Sequence, residues 1–240
     1  MTDNIKYPDA ESVELLTNKL KQKSIMKQVV YSNTFESFNV FKEIIKNTSK
    51  MLASTMSKAK NIKIEYTEKG EFEVHLTFAG DVLIFIMHSN IFEFPRDHEI
   101  MKTQYIKEDI ARSYCGIINV YNFLSDSFKY NRATDVGYLV ARIFINKEKH
   151  FYVEGKRQMG ILFNNFTSKN IDAESITQII NSAVMYSIDF DLLTPFYDDV
   201  KQLSVQEVFD NNNYMKIKTG KRLGFRFQAD HDELKNEYNL

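Results

Sequence analysis

Tryptophan is absent, cysteine occurs once, and 240 residues hold only 8 glycines and 3 prolines. A lone Cys115 excludes an intramolecular disulfide framework and fits a reducing compartment. Few glycines and prolines mean regular elements joined by short turns, and little material for a phosphate-cradling loop. The net charge of -1, from 31 basic and 32 acidic residues, gives no global field to gather nucleic acid or an anionic membrane. No stretch approaches the ~18 uncharged apolar residues that a membrane span needs. The first twenty residues carry Asp3, Lys6, Asp9, Glu11, Glu14 and Lys19 where a signal peptide would be apolar. The expected location is the cytoplasm.

What is present is a core. The chain is 43% hydrophobic, and at this length it can remove roughly 70 to 75% of its unfolded surface from water. Phe72, Val74, Leu76 and Phe78 alternate with polar partners, and Val82 to Met87 is apolar throughout. The first pattern predicts a half-buried strand and the second a strand buried on both faces. With only Ala79-Gly80-Asp81 between them, the two strands are expected to pair antiparallel.

The flanking segments extend this frame. Asp9 is placed to cap a helix carrying Val13, Leu16 and Leu20 on one face. Asn33 with Glu36 has the spacing of a capping box before Phe38, Phe41 and Ile45, which predicts a second helix from about 34 to 59. A strand at Ile62 to Tyr66, a turn at Glu68-Lys69-Gly70 and a short strand ended by Pro95 complete a meander. Residues 96 to 113 read as irregular, with a short helix near 107 to 112. Strands are expected at about 117 to 123 and 137 to 145, and Asn146-Lys147-Glu148-Lys149 reads as a hairpin. Residues 172 to 187 read as a helix, as do Val205 to Phe209 behind a Ser204 capping box. A final hairpin pairs Met215 to Lys218 with Leu223 to Phe227. The order predicts one α+β domain over 1 to 240, with N-terminal helices about 9 to 59, a meander about 60 to 163, and C-terminal helices and hairpin about 171 to 228. Its antiparallel or mixed sheet has five to seven strands, with helices packed mainly on one face.

Chemistry is thinly signalled. Lys156 and Arg157, between Gly155 and Gly160 and directly after a strand, could converge on an anion, although Ile161-Leu162 stands where a phosphate loop carries Lys-Ser/Thr, and an exposed hairpin turn with solvated charges is the favoured account. Lys216, Lys218, Lys221, Arg222 and Arg226 alternate with Tyr214, Phe225 and Phe227. That mixture suits phosphate contact and base stacking, and equally a solvated hairpin face. Lys58, Lys60 and Lys63 extend the patch only if the fold brings them near. His75, His88, His98, His150 and His231 show no metal-ligand spacing, so no metal is expected. His75 and His88 read as hydrogen-bonded, partly buried histidines. Asp97 and Glu99 flank His98 closely enough to orient it, but a solvated loop is the favoured account. Ser24 to Lys27 with Lys218-Thr219-Gly220 matches acyl-transfer elements only in fragments. Glu73 and Asp81 lack the lysine of a nuclease core. Asp189, Asp191, Asp198 and Asp199 lack calcium-loop spacing.

The expected function is therefore a binding or interaction module that uses no cofactor and has no catalytic residues, with a protein partner or a second copy of itself as a homodimer. The alternatives are a nucleic-acid-associated accessory protein using the C-terminal basic hairpin, and an enzyme acting on a phosphorylated ligand through Lys156 and Arg157.

Overall fold

The computed structural model describes residues 9–59, 62–155, 166, 169–190, 194, 196–206 and 208. The sequence from Asp9 onward forms one continuous helix, α1 (Ala10–Thr55), capped by the Asp9 carboxylate, which accepts from the Ser12 amide at 2.8 Å. The break expected at Asn33 does not occur. Nothing between Lys21 and Ser32 is glycine or proline, so the hydrogen-bond ladder has no reason to stop. Asn33 instead turns its amide outward, donating to the carbonyls of Asn146 and Lys147 at 3.2 and 2.8 Å.

Seven strands follow: β1 (Ile64–Gly70), β2 (Glu73–Phe78), β3 (Asp81–Met87), β4 (Phe92–Glu93), β5 (Tyr114–Leu124), β6 (Tyr138–Asn146) and β7 (Phe151–Gly155). They form one antiparallel sheet in the order β1-β2-β3-β5-β6-β7, and β4 pairs with the start of β5. The first turn lies at Glu71-Phe72, after Gly70, and not at Glu68 to Gly70. In the second, Ala79 and not Gly80 takes the left-handed conformation, with φ of 52°.

Alternation divides the sheet into two faces. Val74, Leu76, Leu83, Phe85, Met87, Ile118, Val120, Ile143 and Val153 point to one face, all fully or almost fully buried. Against them pack α1, through Phe38, Phe41 and Ile45, and α4 (Ala173–Ile188), through Ile176, Ile179, Ile180 and Ala183. Asp172 caps α4 through the Ser175 amide at 2.8 Å. Helix α1 comes so close to β5 that a Cβ built on Gly116 would lie 2.1 Å from the Thr34 hydroxyl and 2.7 Å from its Cβ. Glycine at 116 is what permits this approach.

The opposite face is covered unevenly. At one end stand the 3-10 turn Glu99–Lys102, the helix α2 (Gln104–Glu108) and the 3-10 turn Ile110–Ser113. They bury Ile100 and Ile106 with Phe94, Cys115, Ile117, Phe144 and Phe166 in a second apolar cluster. At the other, the short helix α3 (Ser125–Lys129) lays Phe128 against His75 and Phe123. The β6–β7 loop is tied down from both sides of the sheet. Asn33 and Glu36 hold it from α1, the latter through Lys149 at 2.8 Å. Tyr105 and Arg112 hold Glu148 at 2.7 and 2.9 Å, and Asp109 pairs with Lys147. A final short helix, α5, covers Tyr197–Val200, and Val205, Gln206 and Val208 are helical as the Ser204 pattern predicts. The C-terminal hairpin expected over 215 to 227 lies outside the described residues.

Candidate ligand-binding site

The hairpin register sets the site. Counting outward from Asn146 and His150 places Phe144 opposite Tyr152 and Arg142 opposite Glu154, all on the unevenly covered face. Here a pocket of about 270 Å³ opens between β4 and the strands β5 to β7. Phe94, Phe144, Ile117 and Cys115 floor it, all buried, and Phe92 at its edge is exposed. The Phe94 and Phe144 rings lie 4.7 Å apart.

The rim is polar. Arg142 donates through Nε and Nη2 to Glu154 Oε2 at 2.8 and 2.5 Å, and its guanidinium sits 5.2 Å over the Phe144 ring. His98 reaches the other oxygen, Glu154 Oε1, at 3.3 Å. Its Nδ1 accepts from the Ile100 amide at 3.3 Å, where it caps the first 3-10 turn. In the neutral imidazole this places the proton on Nε2, facing the carboxylate. Both ring nitrogens are thereby engaged, and the Nη1 edge of Arg142 is the donor not spent on Glu154. Burial and then the carboxylates of Glu154 and Glu99 push the Tyr152 phenol up. Burial pushes the Cys115 thiol well above its ordinary range, which keeps it protonated and poorly nucleophilic.

The carboxylate on His98 is thus neither Asp97 nor Glu99 but Glu154, 56 residues away. The hairpin count puts Arg142 and Glu154 side by side once Asn146 to Lys149 is recognised as a turn, but it does not bring His98 to them.

Other candidate residues are not brought together. Lys156 and Arg157, directly after β7, lie outside the described residues, as do Lys216, Lys218, Lys221, Arg222 and Arg226. Lys60, His231, Asp191 and Lys218-Thr219-Gly220 lie outside them too. Lys63 is paired with Glu65 at 2.5 Å. Ser24 and Lys27 lie within the α1 helix. Asp81 starts β3 and Glu73 starts β2, at opposite ends of their hairpin, about 17 Å apart along the strands and on opposite faces. His75 is buried and bonded to Glu73 at 2.6 Å, as expected. His88 is exposed, against expectation, because β3 ends at Met87; its Nδ1 accepts from the Asn90 amide at 3.0 Å. His150 stacks on Tyr105 with ring centroids 5.1 Å apart. Asp189 ends α4, and Asp198 pairs with Lys201. Among the described residues no three His, Cys, Asp or Glu side chains converge as metal ligands, and no helix is long and apolar enough to cross a membrane. The chain matches no protein-family model, no curated protein and no solved structure.

Proposed function

We propose that this protein is a non-catalytic binding and interaction module of the cytoplasm. In this reading it takes a small amphipathic anion in the pocket and associates with a protein partner or a second copy of itself. The observation that carries the ligand is an aromatic floor beneath a guanidinium whose Nη1 has no hydrogen-bond partner among the described residues. An aromatic or aliphatic body would lie on Phe94, Phe144 and Ile117, and a carboxylate-like group would take Nη1 of Arg142. Binding is favoured over turnover because His98 has no lone pair to offer: Ile100 occupies Nδ1, and Nε2 points its proton at Glu154. The sequence from Tyr214 to Phe227, with Lys221 and Arg222, supports the second reading, a nucleic-acid accessory role, by its cations set among aromatics.

Titration with 2-naphthoate, followed by backbone and side-chain NMR, tests the pocket. Saturable one-to-one binding is expected, with shifts centred on His98, Phe144 and Glu154. Arg142→Ala should weaken it by about tenfold or more, the worth of a charge-assisted hydrogen bond. Shifts scattered over the surface, or affinity unchanged in Arg142→Ala, would refute the site.

A further inference from the structure

Strand β1 ends the sheet. Among the described residues it pairs with β2 alone, so its other edge presents a row of backbone donors and acceptors on which a further strand can be laid. Proline or short length commonly blunts such an edge, but β1 has seven residues and no proline, and its one irregularity falls at the end, between Glu68 and Gly70. Which groups face outward follows from a single bond. One step before the pair Ile64 and Phe78, the Ala79 amide donates to the Lys63 carbonyl at 2.8 Å. Alternation then turns the N–H and C=O of Glu65 and Thr67 toward β2, and those of Ile64, Tyr66 and Glu68 away from it.

The side chains of β1 complement a second copy of the same strand. Two copies laid antiparallel must match outward-facing residues with outward-facing ones, and where more than half the strand overlaps this admits centres on Tyr66, Thr67 and Glu68. A centre on Tyr66 sets Lys63 of one copy against Lys69 of the other. A centre on Glu68 sets Glu68 against Glu68 and Glu65 against Glu71. A centre on Thr67 overlaps all seven residues and brings Glu65 opposite Lys69 and, just outside the strand, Lys63 opposite Glu71. The charges are antisymmetric about Thr67, so a two-fold axis there satisfies each pair twice. Glu65 is now held by Lys63 in an exposed pair, which costs little to exchange, and Lys69 is exposed. On the other face Ile64 and Tyr66, half-buried against the core, would lose their open flank.

We propose that two copies of this protein join β1 to β1, antiparallel about a two-fold axis at Thr67, so that their sheets run on as one. This rests on the self-association reading above and gives it a surface and a register. Tyr66 and Glu68 of each copy exchange their backbone bonds with Glu68 and Tyr66 of the other, and Glu65 meets Lys69 on either side of the axis. A strand pair of this length stays at or below about 1,200 Å², the small end for specific interfaces, so a dissociation constant of about 10 to 100 µM is expected.

Sedimentation equilibrium of the full chain, with hydrogen exchange of its backbone amides, tests this; circular dichroism and thermal melts show that each variant folds. The wild type should dimerise in the stated range. The Tyr66 and Glu68 amides should exchange more slowly as protein concentration rises, whereas the Thr67 amide, directed at β2, should be protected at every concentration. Glu65→Lys and Lys69→Glu should each weaken the dimer by about tenfold, because two symmetric cross-strand pairs turn repulsive, and the double variant should restore it. A wild type monomeric at about 500 µM overturns both the edge pairing and self-association, leaving the pocket titration unaffected. A dimer whose Tyr66 and Glu68 amides gain no protection overturns the edge alone. Single reversals that change nothing, or a double variant that stays weak, overturn the register centred on Thr67.

Discussion

Substituting Gly116 by alanine asks how tightly α1 is set against the sheet. The added Cβ would stand 2.1 Å from the Thr34 hydroxyl and 2.7 Å from the Thr34 Cβ and methyl. Carbon atoms settle at about 3.5 to 4.0 Å, so the helix must withdraw by about 1 Å. Rotating Thr34 is no escape, because its Cβ is itself in the way, and its hydroxyl is committed to the Val30 carbonyl at 2.7 Å. Withdrawal loosens Phe38 and Phe41 in a core packed without slack, so Gly116→Ala should cost about 3 kcal/mol, the upper end for overpacking. Thr34→Gly removes the obstacle at its own cost of about 2 kcal/mol, from helix propensity and lost burial. If steric contact is the cause, the double variant should lie near the Thr34→Gly value, giving a coupling of roughly 2 to 3 kcal/mol in a double-mutant cycle. Urea unfolding followed by far-ultraviolet circular dichroism supplies the four stabilities. A Gly116→Ala protein within about 0.5 kcal/mol of wild type, or strictly additive substitutions, would refute the reasoning.

Phe85→Ala, in the middle of β3 and fully buried against Phe41, should lower stability by about 3 to 5 kcal/mol; a urea midpoint near that of an exposed-site variant would contradict the assignment. Ala79→Gly should be neutral or stabilising by up to about 1 kcal/mol, since φ of 52° strains alanine but not glycine, and a thermal midpoint several degrees lower would show that the turn needs the methyl. Asp172 is held below the usual carboxylate range by Ser175, whose amide donates to it at 2.8 Å, and Asp109 by Lys147. Folded-state values below the unfolded ones give stability that is complete above the unfolded pKa and is lost as pH falls through the folded one. Asp172→Ala should therefore cost about 1 kcal/mol at neutral pH and clearly less at a pH below the carboxylate range; an equal loss at both would mean that the cap acts without its charge.

How far the fold was legible depended on whether a neighbour in sequence or in space decided each feature. The pairing of β2 with β3 follows from alternation and a two-residue turn, both local. Asp9 and Asp172 cap their helices as their spacing requires, because an N-cap bonds within three residues. Asn33 has the same local pattern and does something else, since the β6–β7 loop competes for its amide and no glycine or proline enforces a helix start. Gly116 looks dispensable until α1 is laid across it. The pocket was the least legible: His98 and Glu154 are joined only when the segment after Pro95 folds over the sheet, and the more visible cations lie outside the described residues.

The fastening of the β6–β7 loop bears on the order in which the chain assembles. Its bonds to Asn33, Lys149 to Glu36, and Glu148 to Tyr105 and Arg112 bridge 113, 114, 113, 43 and 36 residues. The first three cannot close before α1 has docked, nor the last two before the chain between Phe94 and Tyr114 has wrapped the other face, so loop-closure entropy delays them all. The hairpin itself can zip early, its strands being adjacent in sequence. The loop thus becomes a latch thrown after the strands have paired, and substitutions there should hasten unfolding far more than they slow folding.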